Sequence, residues 1–275
     1  MHRVLLYLCL VLVAGCTGNS GQIDRGDYLA DTTVSSRSQD ERIRFLVMHY
    51  TAADDNESLR LLTQGQVSAH YLVHTSPEII RGKPVASQLV AEEKRAWHGG
   101  ESHWQGRDNL NDTSLGIEIV NPGFSQGVKG KHWYPFKEDQ IELVARLARD
   151  IIHRYGISPA NVLAHSDIAP LRKSDPGPLF PWQLLAQRGI GAWPDRASVD
   201  KYLAGRAFGT PASVANIQRT LARYGYRIPQ NGLADEETLR TISAFQMHFR
   251  PTDFSGTPDA QTEAIAMALV EKYRS

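Results

Sequence analysis

Apolar residues recur along this chain in three patterns, and each predicts a different element. Short unbroken runs, Phe45 to Met48 in RFLVMHYTAAD and Val162 to Ala164 in VLAHSDIAPLRKSDPG, fit strands buried on both faces; they end at His49 and His165. In SLGIEIVNPG the pattern alternates: Leu115, Ile117 and Ile119 share one face and Gly116, Glu118 and Val120 the other, so a carboxylate projects from a sheet surface. Helical spacing governs Ile141, Val144, Leu147, Ala148, Ile151, Ile152 and Tyr155, with Gly156 as the stop. Weaker signals add a short helix through Leu59, Leu61 and Leu62, capped by Asp55 or Asn56 and ended at Gly65, and a strand in SAHYLVHT. An edge strand at Gln88 to Val90 and a helix from Pro181 and Trp182 through Leu185 complete the set. Glycine, proline and aromatic residues punctuate NPGFSQGVKGKHWYPF, which reads as a long loop walling a groove. The alternation predicts an α/β fold, a central mixed β-sheet flanked by helices, over residues 41–195.

From about Phe208 the pattern changes to three short helical runs separated by glycine turns. Val214, Ile217 and Leu221 mark the first, Leu239, Ile242, Phe245 and Phe249 the second, Ile265, Met267 to Leu269 and Tyr273 the third. A small three-helix domain is expected over 208–275, with His248 at its surface. Before the main domain, residues 16–40 are poor in large apolar groups and read as a disordered tether. Met1 to Arg3 are basic, Val4 to Val13 almost wholly apolar, and Ala14, Gly15 and Cys16 follow, which predicts a secretory signal peptide over 1–15. VAGC resembles a bacterial lipobox, in which the cysteine becomes the lipidated first residue. Cys9 would leave with the signal, so Cys16, the one mature cysteine, could form no internal disulfide. In the Gram-negative lipoproteins that this segment resembles, an aspartate after the cysteine favours inner-membrane retention, so by that resemblance Thr17 implies transfer to the outer membrane, with the fold facing the periplasm.

Composition narrows the partners. At 275 residues and 41% hydrophobic content the chain can bury a sizeable core. Lysine plus arginine and aspartate plus glutamate each number 30, so no bulk charge favours nucleic acid or an anionic membrane surface. Nucleic acid is not an expected partner, and a monomer is.

The candidate chemistry gathers in the loop after Ala164, where His165, Lys173 and Asp175 follow a strand and three prolines forbid regular structure. A neutral imidazole and a carboxylate are good zinc ligands, and a catalytic zinc needs a third protein ligand, for which His49 is the best donor. Glu118 is the candidate general base. His70 and His74 are four apart, but Tyr71 and Val73 favour a strand, so structural or hydrogen-bonding roles are expected for both. Trp97 and His98 in AWHGG either line a substrate groove or form a packed tryptophan beside a solvated histidine.

Taken in order, MHYTAAD, SAHYLV, AWHGG, SLGIEIVNPG, HWYPF and AHSDIAPLRKSDPGPLFPW closely resemble the zinc-dependent N-acetylmuramoyl-L-alanine amidases of the type 2 amidase family. The resemblance implies Zn2+ held by His49, His165 and Asp175, acid/base catalysis by Glu118 and transition-state stabilisation by Lys173. It implies peptidoglycan or its muropeptides as substrate, cut between N-acetylmuramic acid and L-alanine, with Asn121 near the metal. His70, Trp97, His98 and Asn121 are the substrate-binding candidates. IQRTLARYGYRIPQNG and TISAFQMHFRP resemble the halves of a peptidoglycan-binding three-helix domain, with Gln218, Gly225, Gly232, Thr238, Phe245 and Gln246 at its signature positions. That domain would either bind the wall or serve only as a packing unit. On the wall-binding reading, a chain ending near Arg206 keeps activity on small soluble muropeptides and binds sacculi less. A non-catalytic recognition lipoprotein is the alternative, which the intact ligand set disfavours.

Overall fold

A computed structural model describes residues 21–128 and 130–274, which fall into two compact units divided after residue 40. The lipidation candidate Cys16 and the signal segment lie outside the described residues. In the first unit the expected tether carries order: Gln22–Asp24 pairs antiparallel with Leu29–Asp31, and Thr32 N–H donates to Gly21 O at 2.6 Å.

The second unit is built on a five-stranded mixed sheet. Its strands are β1 (Phe45–Tyr50), β2 (Tyr71–Val73), β3 (Ser87–Gln88), β4 (Ser114–Ile119) and, after the hairpin β5 (Phe124–Gly127) and β6 (Gly130–Trp133), β7 (Val162–Ala164). The order is β7-β1-β4-β2-β3, parallel throughout except for the β2–β3 pair. The hairpin occupies the segment read as a loop.

Parallel pairing in register decides which side chains share a face. Phe45, Val47 and His49 of β1 lie opposite Ser114, Gly116 and Glu118 of β4, so those six face one way. Leu46, Met48, Leu115, Ile117 and Ile119 face the other way, onto α2 (Glu138–Tyr155), whose Ile141, Val144, Ala145, Ala148 and Ile151 are buried there. Gly156, with φ at 61°, ends α2 as its spacing predicted. Asp54, rather than Asp55 or Asn56, caps α1 (Asp55–Gln64), its side chain accepting from Glu57 N–H.

Six further α-helices follow among the described residues: α3 (His165–Ile168), α4 (Trp182–Gln187), α5 (Arg196–Leu203), α6 (Val214–Tyr224), α7 (Glu236–Phe249) and α8 (Ala260–Tyr273). The helical region packs on the same sheet face that carries His49 and Glu118. Phe45, Val47, Trp104, Leu110, Leu163 and Ile168 form one core with Ile217, Leu221, Tyr224, Tyr226, Phe245 and Phe249. Gly225 marks a close approach, since a Cβ there would meet the Trp104 ring at 2.7 Å.

The residues at the expected wall-binding signature positions are spent inside the module. Gln218 donates to Thr238 Oγ1 and accepts from Gly232 N–H; Gln246 repeats this with Thr262 and Gly256. Asp235 and Asp259 cap the helices that carry those threonines. His248, expected at the surface, is buried instead. Its Nδ1 lies 2.7 Å from Asp167, its ring stacks on Trp182 at 3.9 Å, and Tyr226 OH donates to the other Asp167 oxygen at 2.6 Å. A buried carboxylate holds them there, which helical periodicity alone does not reveal.

Candidate metal and active site

His49 is the penultimate residue of β1, His165 opens α3 directly after β7, and Asp175 lies in the proline-rich loop beyond it, so neighbouring strand ends bring the three together. His49 Nδ1 and His165 Nδ1 are 2.9 Å apart, and each is 3.0 Å from Asp175 Oδ2. All three residues are buried and could hold a metal ion.

Hydrogen bonds behind the rings fix where the protons lie. Ser114 Oγ donates to Leu110 O at 2.7 Å, so it accepts from His98 Nε2–H at 3.1 Å. That leaves His98 Nδ1 bare, to accept from His49 Nε2–H at 3.0 Å. Gly99 O, which can only accept, takes the His165 Nε2 proton at 3.0 Å. Both Nδ1 atoms therefore turn lone pairs toward an ionised carboxylate, and three acceptors about 3 Å apart repel unless a cation sits among them. The spacing approaches the roughly 3.3 Å edge of a tetrahedral site with bonds of about 2.0 Å. The donor set thus fits a small divalent cation. Burial, followed by the neighbouring His165, lowers His49 to about 4, so it is neutral and free to ligate. Burial alone would raise Asp175, but His165 and His49 outweigh it and hold it well below the usual carboxylate range.

A cavity of about 350 Å3 opens on this triangle, lined by His165 and Asp175, by Glu118 and Lys173, and by an apolar wall that includes Leu61, Val67 and Trp97. Glu118 pairs with His49 in the β1–β4 register. Its Oε2 is buried without a partner, and burial, then Asp175, raises it to about 8 against the opposing charge of Lys173.

The four substrate-binding candidates separate here. Trp97 is about half exposed on the cavity wall, with the Arg95 guanidinium 4.1 Å over its ring. His98 reaches the cavity edge, but both its nitrogens are occupied by His49 and Ser114. His70 is fully buried, accepting from Gly116 N–H and donating to Lys94 O, so it offers a substrate nothing. Asn121 is spent on its own loop, donating to Tyr134 O and Pro135 O and accepting from Gly123 N–H. His74 holds Asp55 and Ser87, the hydrogen-bonding role its strand context suggested. Sequence reasoning missed Ser114 and Gly116. Period-two spacing puts both on the Glu118 face, and at Gly116 a Cβ would strike the His98 ring at 2.5 Å.

A buried His2Asp triangle that could hold a metal ion, beneath a carboxylate-bearing cavity on a mixed α/β sheet, is an arrangement suited to hydrolysis. The sequence profile of the N-acetylmuramoyl-L-alanine amidase family matches residues 39–178, and that of a peptidoglycan binding domain matches 210–265. The chain belongs to the N-acetylmuramoyl-L-alanine amidase family and is an enzyme of that class. It is 52% identical over 268 residues to the N-acetylmuramoyl-L-alanine amidase AmiD of Escherichia coli, covering 98% of this chain and 97% of that one. The 1,6-anhydro-N-acetylmuramyl-L-alanine amidase AmpD of Enterobacter cloacae is 34% identical over 159 residues, 53% of this chain and 80% of its own. AmiD from E. coli, solved with the substrate anhydro-N-acetylmuramic acid-L-Ala-D-gamma-Glu-L-Lys, superposes with a TM-score of 0.88 at 52% identity over 92% of this chain and 98% of its own. AmpDh3 from Pseudomonas aeruginosa gives 0.79 at 42% identity over 92% and 99%.

Proposed function

We propose that the protein uses zinc, held by His49, His165 and Asp175, to hydrolyse the amide between the lactyl group of N-acetylmuramic acid and L-alanine in peptidoglycan or its muropeptides. The observation that carries this reading is the proton-free triangle of acceptors beside an unpartnered carboxylate oxygen in one cavity. The AmiD complex supports anhydro-muropeptides among the substrates. In such a peptide the γ linkage leaves the glutamate α-carboxylate free.

Zinc bound there supplies positive charge that polarises the scissile carbonyl, acidifies a water and favours the ionised form of Glu118. Glu118 takes the proton of the attacking water and returns it to the leaving nitrogen of L-alanine. Lys173, two residues before the ligand Asp175, offsets negative charge as it develops on the carbonyl oxygen, a role worth on the order of 3 kcal/mol. Trp97, Val67 and Leu61 give the lactyl and alanine methyl groups an apolar wall. Lipidation at Cys16, on the pattern of VAGC after an apolar run, would tether the enzyme as a monomer to the outer membrane, facing the periplasm.

The test is a parallel measurement of zinc content, substrate affinity and released fragments. Glu118→Ala is expected to keep zinc and bind muropeptide while turnover falls about 10²- to 10⁴-fold. Lys173→Ala should lower kcat more than it weakens binding, because the charge it offsets exists only along the reaction path. Near-normal turnover in Glu118→Ala would remove it as the base.

A further inference from the structure

One turn of helix stands behind most of the site. His165 opens α3, and the backbone of the same turn and of the residue after it reaches two more groups: Ser166 N–H donates to Asp175 O at 3.0 Å, and Ala169 O accepts from Lys173 N–H at 2.9 Å. A helix of four residues does not hold its own shape in water, so what fixes α3 must come from outside it.

The fixing group is the carboxylate of Asp167, which is buried and takes three donors. One is local: Ala164 N–H, at 2.8 Å, closes the corner between β7 and His165. The other two come from the C-terminal helical region, Tyr226 OH to Oδ1 and His248 Nδ1–H to Oδ2. Packing alone does not account for a histidine at 248. Its ring stacks on Trp182 and Phe249, but Nε2 is buried without a partner, a penalty that an apolar side chain would not carry. What the imidazole gains in return is its bond to Asp167. Asp167, Tyr226 and His248 are absent from the lining of the catalytic cavity, so their route to the chemistry runs through α3.

We propose that Asp167 is a positioning residue for the metal site, held by Tyr226 and His248 so that the C-terminal helical region sets the aim of His165. The inference rests on the reading of His49, His165 and Asp175 as the zinc ligands. A buried carboxylate that loses a donor is drawn toward another partner, and α3 then has Ala164 N–H and one remaining long-range bond to resist the pull. A shift that starts at Asp167 moves His165 and the Ser166 contact with Asp175 together, which a site with metal bonds of about 2.0 Å tolerates poorly. On this assignment the helical region serves the chemistry itself, through a hydroxyl and an imidazole that never touch substrate.

The experiment uses the full chain and reads zinc affinity by chelator competition, kcat and KM on a soluble muropeptide, and thermal melts with and without zinc. Tyr226→Phe deletes one hydroxyl and keeps the buried ring. It is expected to weaken zinc about tenfold, the low end of the effect of residues that orient a metal ligand from behind. At saturating zinc its turnover should still fall through kcat, with KM little changed. His248→Leu should act alike, and His248→Asn, which can keep an N–H donor where Nδ1 stands, should recover most of the loss. Ile217→Val removes one methylene from the shared core and no hydrogen bond, so it should lower the melting temperature and leave zinc affinity and kcat at wild-type values. Wild-type zinc affinity and kcat in Tyr226→Phe, or equal losses in Ile217→Val at a matched drop in melting temperature, would overturn the positioning role and leave the amidase reading intact. A wild type that binds no zinc would overturn the metal-site reading, and this inference with it.

Discussion

Removing the C-terminal helices is the most informative perturbation, because the core contradicts the expectation of a separable module. Phe45, Val47, Trp104, Leu110, Leu163 and Ile168 are buried in one cluster with Ile217, Leu221, Tyr224, Tyr226, Phe245 and Phe249. Full burial of such side chains contributes roughly 1.5–3 kcal/mol each. If a fragment spanning 41–206 re-exposed half of that area over the six, it would lose roughly 5–9 kcal/mol, against a total stability of about 5–15 kcal/mol for a whole protein. Asp167, two residues after His165, would also lose both Tyr226 and His248. The fragment is therefore expected to lose its cooperative near-UV circular dichroism melt, bind a hydrophobic dye and hydrolyse small soluble muropeptides at least tenfold more slowly than the intact chain. A fragment that melts cooperatively within about 5 °C of the full protein, with equal kcat/KM on a soluble muropeptide, would refute this reasoning and restore the detachable module.

Metal content should follow the triangle and the hydrogen bonds behind it. His165→Ala is expected to lose zinc and His74→Ala to keep it, while Gly116→Ala, by displacing the His98 ring that holds His49, should weaken zinc about 10- to 100-fold in a chelator competition. Because Glu118 is raised to about 8 in the fold from 4.5, the folded metal-free protein keeps a proton that the unfolded chain releases. Its contribution is full below about pH 4.5 and is lost as pH rises toward 8. Urea midpoints of the metal-free wild type should therefore include a decline over that range that Glu118→Gln lacks, and identical slopes would refute the shift. Cys16→Ser should no longer incorporate labelled fatty acid or sediment with membranes; unchanged sedimentation would mean that the lipobox was misread.

The elements that build the site were legible because each depends on local pattern. Apolar runs leading to His49 and His165 fit buried strands, alternation set Glu118 on the face opposite Leu115 and Ile117, and Gly156 closed the amphipathic helix. The ligand triangle was within reach for the same reason, since strand ends in one sheet converge. What the sequence could not determine is how side chains far apart in the chain divide their hydrogen bonds. His70, His98 and Asn121 look like binding groups as letters, but their polar atoms are already bound to Gly116, Ser114 and the Asn121 loop. His248 looks solvated until Asp167 is found 81 positions away. The packing of α6 and α7 on the catalytic face follows from apolar side chains of β1 and β7 that helical and strand periods mark only as buried. Periodicity names the side a residue faces; only the tertiary structure names what it meets there, because partner choice depends on the three-dimensional path of the whole chain.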